Sequence, residues 1–259
     1  MKKIVLVFVV FVLSNTLASA QDWRVGLKAG LSIPKLRASS DDEAFSSGYR
    51  TILGPQAGLL AEYRFNDLFS IQTEVNYSAQ GGKKSGKQKV RTSIFAAMVP
   101  VGLNLPEYLY ANFNSEVALS YLEVPVLAKF SFSTSSLSRL SVYGGPFVGY
   151  LLEATGKSAG KSRIYTDGAQ TTEFTIPVGG VPVAVGVQDL TMKQDITEQC
   201  NRTNYGLQGG ISYAYTFSRF EVFAAAGGTY GFRYLQKNAD LGTNKTGGAF
   251  ANIGATISL

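Results

Sequence analysis

The chain has 259 residues, of which 45% are hydrophobic and only 16% charged, with a formal charge of +6, one cysteine and no histidine. Soluble domains carry about 25% charged residues, so this chain is short of charge. One cysteine excludes a disulfide framework and a cysteine-based zinc cluster. The lack of histidine excludes Ser-His-Asp and Cys-His catalysis and every His-ligated metal site. We therefore expect a protein that is not an enzyme and that needs no cofactor or metal.

The N-terminus has the pattern of a Sec-type signal peptide. Lys2 and Lys3 precede an unbroken apolar run over residues 4–13, and Ala18-Ser19-Ala20 supplies a small-residue cleavage site. Ten apolar residues are too few for a transmembrane helix, which needs about 20. The sequence predicts a signal peptide over 1–20 and a mature, exported domain over 21–259.

Eight later segments alternate apolar and polar residues with the period of a β-strand. They cover residues 23–32, 53–65, 69–78, 121–132, 140–153, 204–217, 220–234 and 249–259. When the apolar residues alone define one face of each segment, all the charged residues fall on the opposite face. These are Arg24, Lys28, Glu62, Arg64, Glu74, Glu123, Lys129, Glu153, Glu221 and Arg233. A soluble barrel would turn this charged face to water, whereas a membrane barrel would turn it toward its interior.

The connections between the segments favour the membrane barrel. Short gaps at 66–68, 133–138 and 218–219 alternate with long gaps at 34–52, 79–116, 154–203 and 235–248. Aromatic residues concentrate near both ends of the segments, as in the aromatic belts at membrane interfaces. The pattern predicts an all-β fold: a closed, antiparallel, up-and-down transmembrane β-barrel of eight strands, with short periplasmic turns and long extracellular loops.

The third long gap contains a predicted β-hairpin, with arms over 172–178 and 181–190 joined by Gly179-Gly180. A ten-stranded barrel that includes this hairpin is the alternative to eight strands. Pro177 and Pro182 weaken that alternative, because proline donates no ladder hydrogen bond.

An eight-stranded barrel leaves an interior that side chains can fill. The ten predicted inward charges are five cations and five anions, so we expect a neutral interior closed by ion pairs. By height, Lys28, Glu74 and Glu123 should lie near the middle, and Glu153 and Arg233 near the outer end. The alternatives are a small porin-type conduit for solutes and an exported soluble barrel that binds a lipid.

The second long gap carries five cations without an acid, namely Lys83, Lys84, Lys87, Lys89 and Arg91. This basic loop could contact lipopolysaccharide phosphates or another anionic polymer, or it could be a flexible, solvated loop tip. Residues 94–105 are apolar and could fold over the barrel mouth or extend the strands. Cys200, in the third gap, has no candidate partner.

Three stretches resemble the PorT-like outer-membrane β-barrel family of Bacteroidota. They are residues 26–31 (GLKAGL), 121–127 (YLEVPVL) and 143–149 (YGGPFVG). The resemblance implies a β-barrel in the bacterial outer membrane and a role in protein secretion. We expect the barrel to act through its loops or turns in envelope integrity, surface interaction or a secretion assembly. The expected partners are outer-membrane lipids, including lipopolysaccharide, and an envelope or secretion-system protein, with no nucleic acid.

Overall fold

The structure is a computed structural model that describes residues 23–38, 48–92, 106–239 and 242–259. The predicted signal peptide over 1–20 and most of the apolar stretch over 94–105 lie outside these residues. The strands are, in chain order, β1 Trp23–Pro34, β2 Arg50–Thr51, β3 Gly54–Arg64, β4 Phe69–Arg91, β5 Tyr108–Ser133, β6 Ser138–Ala159, β7 Lys161–Arg163, β8 Thr175–Val178, β9 Val181–Ala184, β10 Val187–Asp189, β11 Met192–Asp195, β12 Thr203–Phe217, β13 Phe220–Tyr234 and β14 Lys245–Ser258.

Eight of these strands form a closed antiparallel barrel. The ring runs β1, β3, β4, β5, β6, β12, β13 and β14, and β14 pairs back onto β1 with Arg24 opposite Ser258. Each neighbour in the ring follows its predecessor through a turn or loop, as an up-and-down barrel requires. The predicted eight-stranded fold is confirmed.

The ten-stranded alternative is wrong. The predicted hairpin forms, but β8 and β9 pair only with each other in a separate two-stranded sheet. Gly179 and Gly180 have φ angles of 61° and 83°, which suits the tight primed turn of a two-residue hairpin.

Three strands are much longer than the sequence pattern indicates. β4, β5 and β6 contain 23, 26 and 22 residues, whereas about 9–11 residues cross a bilayer. Residues 79–91 and 108–116, which we expected in a loop, are paired in register from Gln80 opposite Leu119 to Arg91 opposite Tyr108. These extensions stand beyond the membrane on the side of the long loops, and β2 and β11 widen the sheet there.

The apolar side chains face outward and the charged ones inward. Leu27 and Ile211 are 61% and 54% exposed, whereas Lys28 and Glu123 are 5% and 2% exposed. This orientation is the reverse of what a soluble barrel needs, so the soluble alternative is wrong. No helix within the described ranges is long and apolar enough to span a membrane.

Aromatic rings form an outer belt at the end of the barrel that carries the short turns. The ring centroids of Trp23 and Tyr63 lie 5.1 Å apart, those of Phe65 and Phe69 5.4 Å, and those of Phe69 and Phe130 5.2 Å. Aromatic side chains of this kind sit at the level of lipid head groups, so the belt marks the periplasmic interface.

Beyond the membrane, the strand extensions enclose two apolar clusters. One contains Leu36, Leu119, Tyr121, Leu151, Ala154, Cys200 and Leu235. The other contains Val90, Leu109, Ala111, Ile164 and Phe174, so the third long loop packs against the inner face of β4 and β5. The extracellular part is therefore a packed structure rather than a set of solvated loops.

Candidate functional site: the barrel interior and the extracellular sheet

The middle of the barrel is crossed by a buried ion pair between β1 and β4. Lys28 Nζ donates to Glu74 Oε2 at 2.6 Å. The same carboxylate accepts hydrogen bonds from the amides of Gln72 at 2.6 Å and Asn76 at 2.7 Å. Gln208, on the opposite wall, approaches it at 3.4 Å. A buried charge needs such partners because its desolvation is costly, and here they connect strands on both sides of the bore.

A second carboxylate, Glu62 on β3, lies nearer the periplasmic end. Lys129 Nζ donates to Glu62 Oε2 at 2.8 Å and to the amide oxygen of Gln72 at 3.2 Å. Arg64 Nε lies 3.7 Å from the other Glu62 oxygen. Since Lys129 contacts Gln72 and Gln72 contacts Glu74, the two carboxylate clusters form one hydrogen-bonded network.

The third interior carboxylate, Glu221 on β13, binds two arginines. Arg24 Nη1 donates to Glu221 Oε2 at 2.6 Å, and Arg139 Nε lies 3.2 Å from the same oxygen. Thr216 adds a hydroxyl donor at 3.2 Å. This cluster fills the periplasmic end of the interior on the side opposite Glu62.

Glu123 is the interior carboxylate with no ion pair among the described residues. It is buried on β5 and accepts a hydrogen bond from the Gln80 amide at 2.8 Å. Its strand neighbour Tyr121 belongs to the upper apolar cluster. Glu123 therefore marks the boundary between the ionic lower interior and the apolar upper interior.

Aromatic side chains fill the remaining interior against inward-facing glycines. A Cβ on Gly254 would lie 2.4 Å from the Phe223 ring, and one on Gly210 would lie 2.7 Å from the Tyr143 hydroxyl. The cavity left among Lys28, Glu74, Tyr143 and their neighbours measures about 20 Å³, which is room for about one water molecule.

Two of the ten predicted interior charges lie elsewhere. Glu153 is exposed, because β6 has an extra residue where Ser120 faces Glu153 while Tyr121 faces Leu151. Such a β-bulge reverses the faces of the residues beyond it. Arg233 is also exposed, where the pairing of β13 with β14 becomes irregular. It hydrogen-bonds Thr203 and, at 3.1 Å, Asn201 at the outer rim.

Arg139 is an interior cation that the sequence pattern does not reveal. It precedes Leu140, which we took as the first residue of its strand, yet β6 begins at Ser138. The charged side chains inside the barrel are thus of two kinds. The cations are Arg24, Lys28, Arg64, Lys129 and Arg139, and the anions are Glu62, Glu74, Glu123 and Glu221. The predicted balance of five cations and five anions is therefore wrong, and cations exceed anions by one.

The predicted basic loop is part of β4 and does not form one patch. Lys83, Lys87, Lys89 and Arg91 share a face, because their positions differ by even numbers. Lys87 donates to the carbonyl of Gly168, and Lys89 lies 5.4 Å from the centroid of the Tyr108 ring.

Lys84 occupies the other face of β4, beside Gly48. Burial lowers the pKa of its ammonium group. The interpretation of this stretch as a flexible, solvated loop tip is therefore wrong.

An upper cavity of about 140 Å³ lies at the extracellular end of the barrel. Its walls include Leu36, Tyr49, Cys200, Leu235 and Asn244. Cys200 is 3% exposed, and burial raises the pKa of its thiol to about 11. No group of three or more potential metal-binding side chains occurs in the described part of the chain.

A closed ring of antiparallel strands with an apolar outer face, a polar interior and an aromatic belt defines an integral outer-membrane β-barrel. The comparisons agree with this class. The chain belongs to the outer membrane protein beta-barrel domain family, whose profile matches residues 19–237. Its location is accordingly the bacterial outer membrane. The finer PorT-like assignment is not part of this match, and no curated protein sequence matches the chain.

Solved structures of outer-membrane proteins are similar to the chain over most of its length. Neisserial surface protein A is 13% identical, with a TM-score of 0.38, over 92% of this chain and 97% of that chain. The attachment invasion locus protein Ail of Yersinia pestis is 10% identical, with a TM-score of 0.34, over 91% and 99%. OprG of Pseudomonas aeruginosa is 9% identical, with a TM-score of 0.36, over 92% and 96%. Likeness at this level adds nothing on activity.

Proposed function

We propose that this protein is a non-conducting outer-membrane barrel that acts at the cell surface through its extracellular sheet. The observation that carries the proposal is the filled interior. Ion pairs cross the bore at two heights, and the space left among them measures about 20 Å³. A conducting pore needs a continuous, water-filled path, and open channels are typical of barrels with about 16 strands.

The extracellular sheet supports the second half of the proposal. The extensions of β4, β5 and β6 have their own apolar cluster and carry the third loop packed against it. Order of this kind outside the membrane is not needed to anchor a barrel, so we infer that it presents a binding surface. The proposed partner is a component of the cell envelope.

The PorT-like resemblance adds a finer proposal, a place in a secretion or envelope assembly. Two of the three stretches that carry it lie side by side, with Val124 opposite Val148 and Pro125 opposite Phe147. Tyr121, Tyr143 and Phe147 point inward and are buried. These residues support a shared barrel construction, so the secretion role rests on the resemblance alone.

The proposal includes no catalytic role. The carboxylates of Glu62 and Glu74, which could otherwise suggest acid–base chemistry, are each held by a lysine. The proposal also includes export by a signal peptide cleaved after Ala20. Mass measurement of the protein extracted from outer membranes tests this point, because the mature chain should begin at Gln21.

Single-channel recording in planar bilayers tests the main proposal. Heat-modifiable gel mobility confirms that the barrel used in the recording is folded. From such a sample we expect no stable open state with a conductance of nanosiemens order. A stable, reproducible conductance from such a sample would establish the porin-type alternative instead.

A further inference from the structure

Five charged residues from five neighbouring strands form one row across the extracellular sheet. Register pairs Arg50 on β2 with Lys83 on β4, Lys83 with Glu116 on β5, Glu116 with Lys157 on β6, and Lys157 with Lys193 on β11. Residues directly opposite each other in a sheet point to the same side. The row therefore presents four cations and one acid on a single face.

Within the described ranges, the cations of this row outnumber the acids that pair with them. Lys157 Nζ lies 3.3 Å from Glu116 Oε1, which accounts for one cation. Arg50, Lys83 and Lys193 are exposed and make no ion pair with any carboxylate in the described ranges. Arg50 stands directly beside Lys83, and Lys157 beside Lys193, although like charges opposite each other destabilise a sheet. An external anion would relieve this repulsion.

The row points sideways over the membrane. Val117, next to Glu116, packs against the interior apolar cluster, as does Tyr49 next to Arg50. Glu116 and Arg50 therefore face away from the barrel axis. Lys83 lies on the same face of β4 as Tyr77, a lipid-facing residue that is 40% exposed. A molecule that reaches this row must stand beside the barrel.

The height of the row limits what that molecule can be. Lys83 lies six residue steps beyond Tyr77, which is about 20 Å along an antiparallel strand. At a strand tilt of about 40°, this is about 15 Å along the membrane normal. The head-group layer of an ordinary bilayer is only about 5–7 Å thick. A phospholipid head group is too short to reach the row, whereas a lipid that carries several phosphorylated sugars is long enough.

The width of the row fits a ligand with more than one anionic group. Five strands at a spacing of about 4.8 Å extend over about 19 Å. Lysine and arginine bind phosphate through charge-assisted hydrogen bonds. We propose that this row binds the phosphorylated sugars of a glycolipid of lipopolysaccharide type in the surrounding outer leaflet.

The test compares two variants that each lose three positive charges. Arg50→Gln/Lys83→Gln/Lys193→Gln removes the three cations of the row that form no ion pair with a described residue, and it leaves the Lys157–Glu116 pair in place. The control, Lys35→Gln/Lys161→Gln/Arg219→Gln, removes three exposed cations outside the row. Heat-modifiable gel mobility verifies that all proteins are folded.

The full chain is reconstituted in phosphatidylcholine nanodiscs that contain purified lipopolysaccharide, the same glycolipid after removal of its phosphates, or phosphatidylglycerol. Bound lipid is quantified by native mass spectrometry. We expect the row variant to weaken lipopolysaccharide binding at least tenfold and the control less than twofold, with weak binding of both other lipids. Binding should also decrease with salt.

Three results would overturn the inference. Unchanged binding by the row variant, or equal binding of the dephosphorylated glycolipid, would exclude phosphate recognition at the row. Equal binding of phosphatidylglycerol would refute the argument from height. Inorganic polyphosphate that binds the row as tightly as the glycolipid would show that the ligand comes from solution.

This inference rests on the proposed surface role, but the two can fail separately. A conducting barrel that still binds the glycolipid through the row would refute the closed-barrel proposal alone. A barrel that does not conduct and whose row binds no glycolipid would refute only the inference.

Discussion

Replacing Lys28 with methionine should strongly destabilise the barrel, because it leaves the Glu74 carboxylate buried without a cation. The variant keeps a long side chain but loses the 2.6 Å contact with Glu74, together with the cation located 5.8 Å from the centroid of the Phe250 ring. Removing one partner of a buried ion pair costs about 3–5 kcal/mol. Neutral donors remain on Glu74, so we expect the lower end, a loss of about 3 kcal/mol in the free energy of unfolding.

Urea unfolding of the reconstituted barrel measures this loss. The chain has a single tryptophan, Trp23 at the start of β1, whose fluorescence reports on unfolding, and gel mobility of unheated samples gives a second signal. The double variant Lys28→Met/Glu74→Gln also removes the buried negative charge and keeps an acceptor for the neighbouring amides. It should regain stability to within about 1 kcal/mol of the wild type.

Lys157→Met is the matched control, because it breaks the exposed ion pair with Glu116. Surface pairs contribute at most about 1 kcal/mol. If Lys28→Met is no more destabilising than this control, or if Glu74→Gln gives no recovery, buried ion pairs do not hold the interior together and the closed-bore argument loses its basis.

Smaller perturbations test the interior packing, the buried thiol and the positions of Glu153 and Arg233. Gly254→Ala should lower the free energy of unfolding in urea by about 1–3 kcal/mol, because its Cβ would overlap a phenylalanine ring. Gly144→Ala is the control and should be nearly neutral, because the nearest atom to its Cβ would be 3.6 Å away. Equal effects of the two substitutions would contradict the packing described. Because burial raises the pKa of Cys200 to about 11 from an ordinary 9.0, its reaction with a thiol reagent at pH 8 should be roughly 100-fold slower in the folded barrel than in urea. The unfolded thiol ionises first, so stability should also fall as the pH rises from about 9 to 11, and rapid labelling of folded protein would refute the burial. Glu153→Gln and Arg233→Gln should each change the unfolding free energy by no more than about 0.5 kcal/mol. A loss as large as that of Lys28→Met would indicate that these side chains lie inside the barrel.

The sequence predicts the barrel well because its signal is local. Leu27 and Lys28 fall on opposite faces simply because side chains alternate along a strand, and each apolar residue adds to the same phase. Turn lengths are equally local, so the short gap at Ser218 and Arg219 predicts the tight connection between β12 and β13. Strand count and orientation follow from these two signals.

The sequence predicts the site less well because its geometry depends on partner strands. Glu153 lies outside the interior because a bulge against Ser120 shifts the phase of β6, and nothing in residues 140–153 indicates that shift. The upper part of β4 lacks the apolar outer face because that face, with Lys83 and Lys87, is exposed above the membrane, while the inner face packs on a protein loop. The row of charged residues on the extracellular sheet cannot be predicted from the sequence, because Arg50, Lys83 and Lys193 are brought into one row only by the register of the paired strands.

The pairing of β1 with β14 determines when the fold can be completed. β1 leaves one edge of main-chain amides and carbonyls unpaired until residues 248–258 arrive to match positions 24–34. An open edge cannot remain in hydrocarbon, where no water is available to replace the missing partners. The first strand of the ring must therefore wait for the last, so a chain truncated before β14 should fail to insert into the bilayer.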